Sequence, residues 1–440
     1  MASSARVLLL DPPHRYGDLA ARIEAEGYAS LVAHDIEEAR SLLREAEPDI
    51  AIVAVEVGTT ELPDALSEIR SKAPMPLIVL ESEPADEDVS RNGVDAMTEY
   101  LAEPFSDVEL FSRLQALSRL VTMQAELVRR DATARACGVA GGIGVAPPDK
   151  VAGAQILIVA GPELNIAEIH AVLGKNAVLA VVEETHAARR RLEHGGFDAA
   201  LIYAKSGHHG WLELCQGLRQ NTRLYDLPVL VVADGGTYRE LEAAYEAGVT
   251  DMLRLEMPVE EVAFRTLSAV RQQRYRRTIQ RLCRECRHES TSDHLTGLYN
   301  RDFLLAHLDA EIDDAARWNK ALSLGYVEVS DLAQVEESLN AAAGQRIVQQ
   351  TGGLVGALVR GEDLPARYGD DSFCIVLPNT SESAARLVLR RVAAVINNTT
   401  LNVADTEAPI GVHVRTGCAE LAGDETSAML IEKARAGLAP

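Results

Sequence analysis

Short, β-branched apolar runs bounded by Asp, Gly or Pro alternate along much of the chain with stretches whose apolar positions return at helical spacing. Val7-Leu-Leu-Leu-Asp11, Pro48-Asp-Ile-Ala-Ile-Val-Ala-Val55 and Met75-Pro-Leu-Ile-Val-Leu80 are of the first kind, and Gly17 to Glu26 and Glu38 to Arg44 of the second. Runs that are apolar throughout, rather than at every second residue, suit strands of a parallel sheet buried on both faces. Their alternation with helices predicts a doubly wound α/β domain.

The pattern occurs twice. Ile156-Leu-Ile-Val-Ala160 and Phe197-Asp-Ala-Ala-Leu-Ile-Tyr-Ala204 repeat the first two runs at a constant offset of 149 residues. Leu227-Pro-Val-Leu-Val-Val232 matches Met75 to Leu80, and Gly248-Val-Thr-Asp-Met252 matches Gly93-Val-Asp-Ala-Met97. Two copies of one domain are the simplest account. The Gly/Pro-rich stretch Cys137 to Lys150 reads as a linker between them. After the second copy, Thr266 to His288 reads as a long helix with seven arginines between Arg271 and Arg287. Such a helix is either a DNA-groove reader or a solvated connector.

Composition separates those two readings. The chain has 440 residues, 43 Lys and Arg against 66 Asp and Glu, a net charge of -23, and 47% hydrophobic residues. That apolar content supplies about three domain cores. The negative charge argues against DNA as a partner and favours the connector helix. No apolar run approaches the roughly 18 residues that cross a bilayer, so no membrane insertion and a cytoplasmic location are expected. Six cysteines give no disulfide framework. Cys283, Cys286 and His288 could offer three metal ligands, but a fourth donor is missing, and no metal site is expected. The expected boundaries are 1–130 for the first α/β domain, 131–153 for the linker, 154–288 for the second domain with its long helix, and 289–440 for a third domain.

The two copies resemble receiver domains of two-component response regulators, and two receivers followed by a third domain resemble the PleD family. A receiver takes phosphate on an Asp at the end of its third strand, beside acidic metal ligands, a Thr or Ser and a Lys. In the first copy the matching positions are Ala54 for the acceptor, Glu81 for Thr/Ser and Glu103 for Lys. Only Asp11 of the acidic cluster remains, followed by Pro12 and Pro13; a register shift of two would nominate Glu56. In the second copy Tyr203, Ala233 and Met257 hold those places, with Ala160 and Gly161 at the first strand end. The resemblance therefore implies two pseudo-receivers, retained for dimerisation and docking.

From Ser292 the sequence SDHLTGLYNRDFL resembles the DxLTxLxNR opening of GGDEF domains, and Leu364-Pro-Ala-Arg-Tyr-Gly-Asp-Asp-Ser-Phe resembles LPxRYGG[DE]EF. The implied fold class is α/β throughout: two flavodoxin-like (CheY-like) receivers plus a nucleotide-cyclase-like GGDEF domain. A diguanylate cyclase holds GTP with two metal ions, and the matching carboxylates are Glu328 and Asp371. Other family positions differ: Asp370 replaces the second glycine, Ser372 the following Glu, and Glu336 and Ala342 the guanine contacts. The sequence ends at Pro440, ahead of the family's phosphate-binding AKxxGRN segment. No catalysis is expected.

The family's product-binding RxxD motif, five residues before the GG[DE]EF signature, is matched by Arg360-Gly-Glu-Asp363. Arg391, with Arg390 beside it, matches a second arginine that contacts the same ligand. An arginine donates two parallel hydrogen bonds to O6 and N7 of guanine, and a carboxylate accepts from the opposite edge. The resemblance thus implies a non-catalytic cyclic di-GMP effector binding through Arg360, Asp363 and Arg391. It needs no catalytic cofactor, and homodimerisation, adaptor or polar-localisation partners, and a role in cell-cycle proteolysis are implied. A slow cyclase using Glu328 and Asp371, and a nucleotide-free scaffold, are the alternatives.

Overall fold

The computed structural model of the chain describes residues 5–12, 15–55, 75–81, 97–139, 151–162, 164, 166–205, 209–221, 223–330, 332–401 and 410–438. Pro13, Glu56, Gly93 to Ala96 and the linker residues 140–150 lie outside the described residues.

Strands β1 (Arg6–Leu10), β2 (Ala29–Ala33), β3 (Ile50–Val55), β4 (Leu77–Glu81) and β5 (Thr98–Ala102) form one parallel sheet in the order β2-β1-β3-β4-β5. Strands β6 (Ala154–Val159), β7 (Ala177–Val182), β8 (Ala199–Ala204), β9 (Val229–Ala233) and β10 (Asp251–Arg254) repeat it as β7-β6-β8-β9-β10. Each is the doubly wound receiver order anticipated from the repeat. The central strands are buried on both faces, with Leu8, Leu9 and Ile52 in one domain and Leu157, Ile158 and Leu230 in the other essentially without exposure. Fully burying such a side chain contributes roughly 1.5–3 kcal/mol each.

The third domain has a different topology. β11 (Leu322–Val329), β12 (Leu364–Arg367), β13 (Ser372–Pro378) and β16 (Val414–Glu420) form an antiparallel sheet ordered β12-β13-β11-β16. A two-stranded ribbon, β14 (Thr400–Leu401) with β15 (Ile410–Gly411), lies apart from it. Helices Arg301–Trp318 and Ser427–Ala436 and helices Ala341–Leu358 and Glu382–Asn397 contribute to two separate apolar clusters on this sheet. Such α/β layering places the loop between Leu358 and β12 at the domain's margin.

Two long helices organise the three domains. The first, Asp107–Ala136, opens on a capping box between Ser106 and Glu109 and runs past the expected domain end at 130. The second, Val259–Glu285, begins earlier than the anticipated Thr266, after Pro258, and stops before His288. The expected solvated connector is corrected here: Tyr275, Ile279, Cys283 and Cys286 form a buried stripe against Leu120, Met123 and Leu127 of the first long helix. Spacings of three and four residues put each set on one helix face. Its arginines are largely engaged along the flanks, Arg274 and Arg277 with Asp198 at 2.8 and 3.4 Å.

Further polar contacts fix the receivers to each other and to the third domain. Arg113 reaches Glu99 at 3.0 Å and Asp251 of the second receiver at 2.7 Å. Lys320 of the third domain pairs with Asp49 of the first at 3.1 Å, and the Arg6 guanidinium lies 3.9 Å from the Trp318 ring centre. No helix among the described residues is long and apolar enough to cross a membrane.

Candidate functional site

At the strand ends of the first receiver, Ala54 and Glu81 are buried where an acceptor and a hydroxyl would stand. Asp11 is also buried, and its carboxylate accepts from the backbone of Arg15 and Tyr16 at 3.2 and 2.9 Å. It caps the following turn. Glu103 takes the Arg15 guanidinium at 2.8 Å and the Tyr16 hydroxyl. In the second receiver Ala233 is fully buried, and burial raises the Tyr203 hydroxyl above its ordinary value. The two acceptor positions, Ala54 and Tyr203, offer no carboxylate nucleophile.

In the third domain the opening motif is structural. Asp293 accepts from Thr296 at 2.7 Å and pairs with Arg367 at 3.1 Å, while Asn300 caps helix Arg301–Trp318 through the Phe303 amide at 2.9 Å. Arg367 also donates to the carbonyls of Gly369 and Asp370 at 3.0 and 3.3 Å, so it fixes the hairpin that carries the signature. A Cβ on Gly369 would lie 2.6 Å from Ser372 Oγ, so that hydroxyl would have to turn away to admit one.

The catalytic positions do not suit two divalent ions and a triphosphate. Glu328 on β11 stands opposite Arg415 on β16 and accepts its guanidinium, so the carboxylate is already paired with a cation. Asp370 is exposed on the hairpin, where its charge would oppose phosphate, and Ser372 is buried. Glu336 lies against Gly344, and Ala342 carries no hydrogen-bonding group.

Arg360, Asp363 and Arg391 come together around one loop. Helix Ala341–Leu358 ends just before Arg360, and the Arg391 guanidinium, from helix Glu382–Asn397, donates to the Leu358 carbonyl at 2.8 Å. Arg360 and Arg391 are both exposed. Asp363 faces the other way: it is 2% exposed and its carboxylate accepts the Arg360 amide at 2.8 Å, closing a tight turn. Burial, and then the charge of Glu362, push its carboxyl up to about 7. Arg360 and Glu362 line an open cleft of about 610 Å³ shared with Arg119, Tyr225, Asp226 and Arg276 of the receivers and their long helices.

Sequence reasoning missed what lies under this loop. Arg119 of the first long helix pairs with Glu362 at 2.8 Å, and Arg130 donates to the carbonyls of Glu362 and Asp363 at 3.0 and 2.9 Å. Arg130 also meets Glu126 at 2.6 Å, and Glu126 meets His307 of the third domain at 3.1 Å. Glu311 lies 3.4 Å from the same imidazole nitrogen. Only the i, i+4 pairs Glu126 with Arg130 and His307 with Glu311 were available as sequence signals.

Glu126, His307 and Glu311 bring their ligand atoms within 4.8 Å of one another. They do not fit a divalent metal: Arg130 and Arg129, the latter 3.0 Å from Glu311, already balance both carboxylates, and a dication would leave excess buried charge. Cys283 and Cys286 sit in the apolar stripe with thiols pushed up by burial to about 11 and about 12, which opposes zinc ligation.

Residues 290–439 match the family model described as diguanylate cyclase, GGDEF domain. The chain is 24% identical to response regulator PleD of Caulobacter vibrioides (strain NA1000 / CB15N) over 441 residues, covering 99% of this chain and 96% of the relative. It is 30% identical over 146 residues to diguanylate cyclase DosC of Escherichia coli (strain K12), covering 33% of this chain and 32% of that protein. The solved GGDEF domain of DgcB from Caulobacter crescentus, in complex with c-di-GMP, aligns at 21% identity with a TM-score of 0.33, covering 34% of this chain and 86% of that one.

Proposed function

We propose that this PleD-like response regulator, whose third domain is a GGDEF domain, is a non-catalytic effector that binds cyclic di-GMP at Arg360, Asp363 and Arg391. The observation that carries the reading is the convergence of those three residues on one loop, with both guanidinium groups exposed and Arg360 lining an open cleft. Guanidinium donors match the O6 and N7 edge of guanine and the ligand's phosphodiesters, each good bidentate contact being worth roughly 1–3 kcal/mol. Asp363 shapes the turn in the ligand-free arrangement. It accepts from the opposite base edge once its side chain turns from the Arg360 amide, with the loop's carbonyls still on Arg130.

The Glu328–Arg415 pair and the Asp370 charge support a lost cyclase activity, and Ala54 and Tyr203 support two pseudo-receivers. Ligand binding changes partner affinity only as far as it prefers one domain arrangement. The rest of the proposal rests on the resemblance to the PleD family: a homodimer held by the pseudo-receivers, which recruits adaptor proteins at a cell pole for regulated proteolysis.

The test pairs two assays on the full chain. Incubation with GTP and Mg²⁺ or Mn²⁺ yields no cyclic di-GMP, while titration with cyclic di-GMP gives saturable binding that Arg391→Ala weakens. Product formed from GTP and abolished by Asp371→Ala would replace this reading with the cyclase.

A further inference from the structure

We infer that Arg130, on the long helix of the first receiver, is a positioning residue for the nucleotide loop of the third domain. The inference rests on the reading of residues 360–363 as a nucleotide site. The loop is clamped at two points: the Asp363 carboxylate holds the Arg360 amide, and one Arg130 nitrogen holds the carbonyls of residues 362 and 363. With both clamps made, Arg360 stands at the cleft beside Glu362. Arg130 does not reach the cleft itself. It is 3% exposed and spends its donors on the loop and on Glu126.

The planar fork matters. One face of the guanidinium serves Glu126 through Nε while Nη2 serves two carbonyls of another domain, and a lysine ammonium cannot span both sets at these distances. The Arg130 guanidinium also lies over the Tyr299 ring, 5.8 Å from its centre. Its orientation is therefore determined from three sides.

Glu126 is in turn held by His307. Nε2 faces Glu126 at 3.1 Å and carries a hydrogen, or two lone pairs would meet. Nδ1 lies 3.3 Å from Thr133 Oγ1. Glu126 and Glu311 raise the imidazole pKa against the effect of burial and so favour the charged ring.

The charged and titratable groups around this ring are Glu126, Arg129 and Arg130 of the first long helix and Glu311 of its own helix, with the Tyr299 phenol and the Cys283 thiol behind Arg130. Losing one proton leaves the neutral ring with its Nε2–H on Glu126 but removes the positive charge beside that carboxylate. That weakens the hold on the anchor of Arg130, and the loop loosens with it.

The experiment uses the full chain and two readouts: cyclic di-GMP affinity by calorimetry, and amide hydrogen exchange of residues 359–364 without nucleotide. Arg130→Lys keeps the charge and gives the folded comparison if Arg130→Ala is unstable. In Arg130→Lys, affinity falls about ten-fold or more and the loop exchanges faster. Relative to His307→Gln, which keeps only the titration of Asp363, wild-type affinity declines as pH rises above the ordinary imidazole range, about 6.5. Folded Arg130→Lys that binds within about two-fold of wild type, with unchanged loop exchange, overturns the inference. If the wild type binds no nucleotide, the effector reading fails on its own, and loop exchange alone decides whether Arg130 positions the loop.

Discussion

Glu126→Gln tests the docking of the third domain on the first long helix. The side chain is fully buried and accepts from Arg130 at 2.6 Å and His307 at 3.1 Å. The substitution keeps the shape and removes the charge, leaving two buried cations facing a neutral amide. Removing one partner of a buried ion pair costs about 3–5 kcal/mol. The two carbonyl acceptors left to Arg130 place the expectation at the lower end, about 3 kcal/mol. The chain has two tryptophans, Trp211 buried in the second receiver and Trp318 against Arg6 at the docking face. In a Trp211→Phe background, urea unfolding followed by fluorescence therefore reports the docked third domain alone. With an m-value of about 2 kcal/mol per molar, the midpoint falls by about 1.5 M. A shift below about 0.3 M refutes the claim that the cluster holds the domains together.

The same cluster gives the pH dependence a definite sign. His307 is raised in the folded state, so its contribution is complete below about 6.5 and is lost as pH rises through its folded value. Glu311, pushed up to about 7 by burial and Glu126, acts in the same direction because the folded state holds its proton more tightly. Glu126 is lowered, so its contribution is present above 4.5 and lost in acid. Docking is strongest between roughly pH 5 and 6.5 and weakens towards pH 8, and Glu126→Gln flattens that decline.

Other consequences are local. Acetyl phosphate with Mg²⁺ leaves the chain unmodified by intact mass, because Ala54 and Tyr203 occupy the acceptor positions; an added phosphoryl group on either receiver would contradict that assignment. Gly417→Ala destabilises the third domain by roughly 2–3 kcal/mol, since its Cβ would lie 2.2 Å from the Ala434 carbonyl of the last helix; a thermal midpoint unchanged from wild type would refute the close approach. Arg415→Ala frees Glu328 yet leaves cyclic di-GMP affinity unchanged, because that pair lies in the signature-hairpin half of the domain and not at the Arg360 loop.

The receiver strands were legible because strands covered on both faces must be apolar at every position, so their runs stand out and repeat at a fixed offset. The first long helix did not stand out. Its buried face includes Arg113, Glu126 and Arg130, which read as solvent-facing until Asp251, His307 and the Glu362 carbonyl arrive from far along the chain. The second long helix misled for a related reason: seven arginines hid a stripe of Tyr275, Ile279 and Cys283. At the candidate site the spacing identified Arg360, Asp363 and Arg391, since each is named by its distance from a signature. That Asp363 is turned inward, and that a receiver arginine holds its carbonyl, depends on domain docking and has no local signal.

The central claim is that Arg360 marks a working nucleotide site in a domain that no longer catalyses. Calorimetric titration of cyclic di-GMP into the full chain and into Arg360→Ala tests it most directly. The account predicts micromolar or tighter binding to the wild type, about -8 kcal/mol or better, lost in the variant while its fold is kept. Absence of binding to the folded wild type, or equal binding by Arg360→Ala, would contradict it.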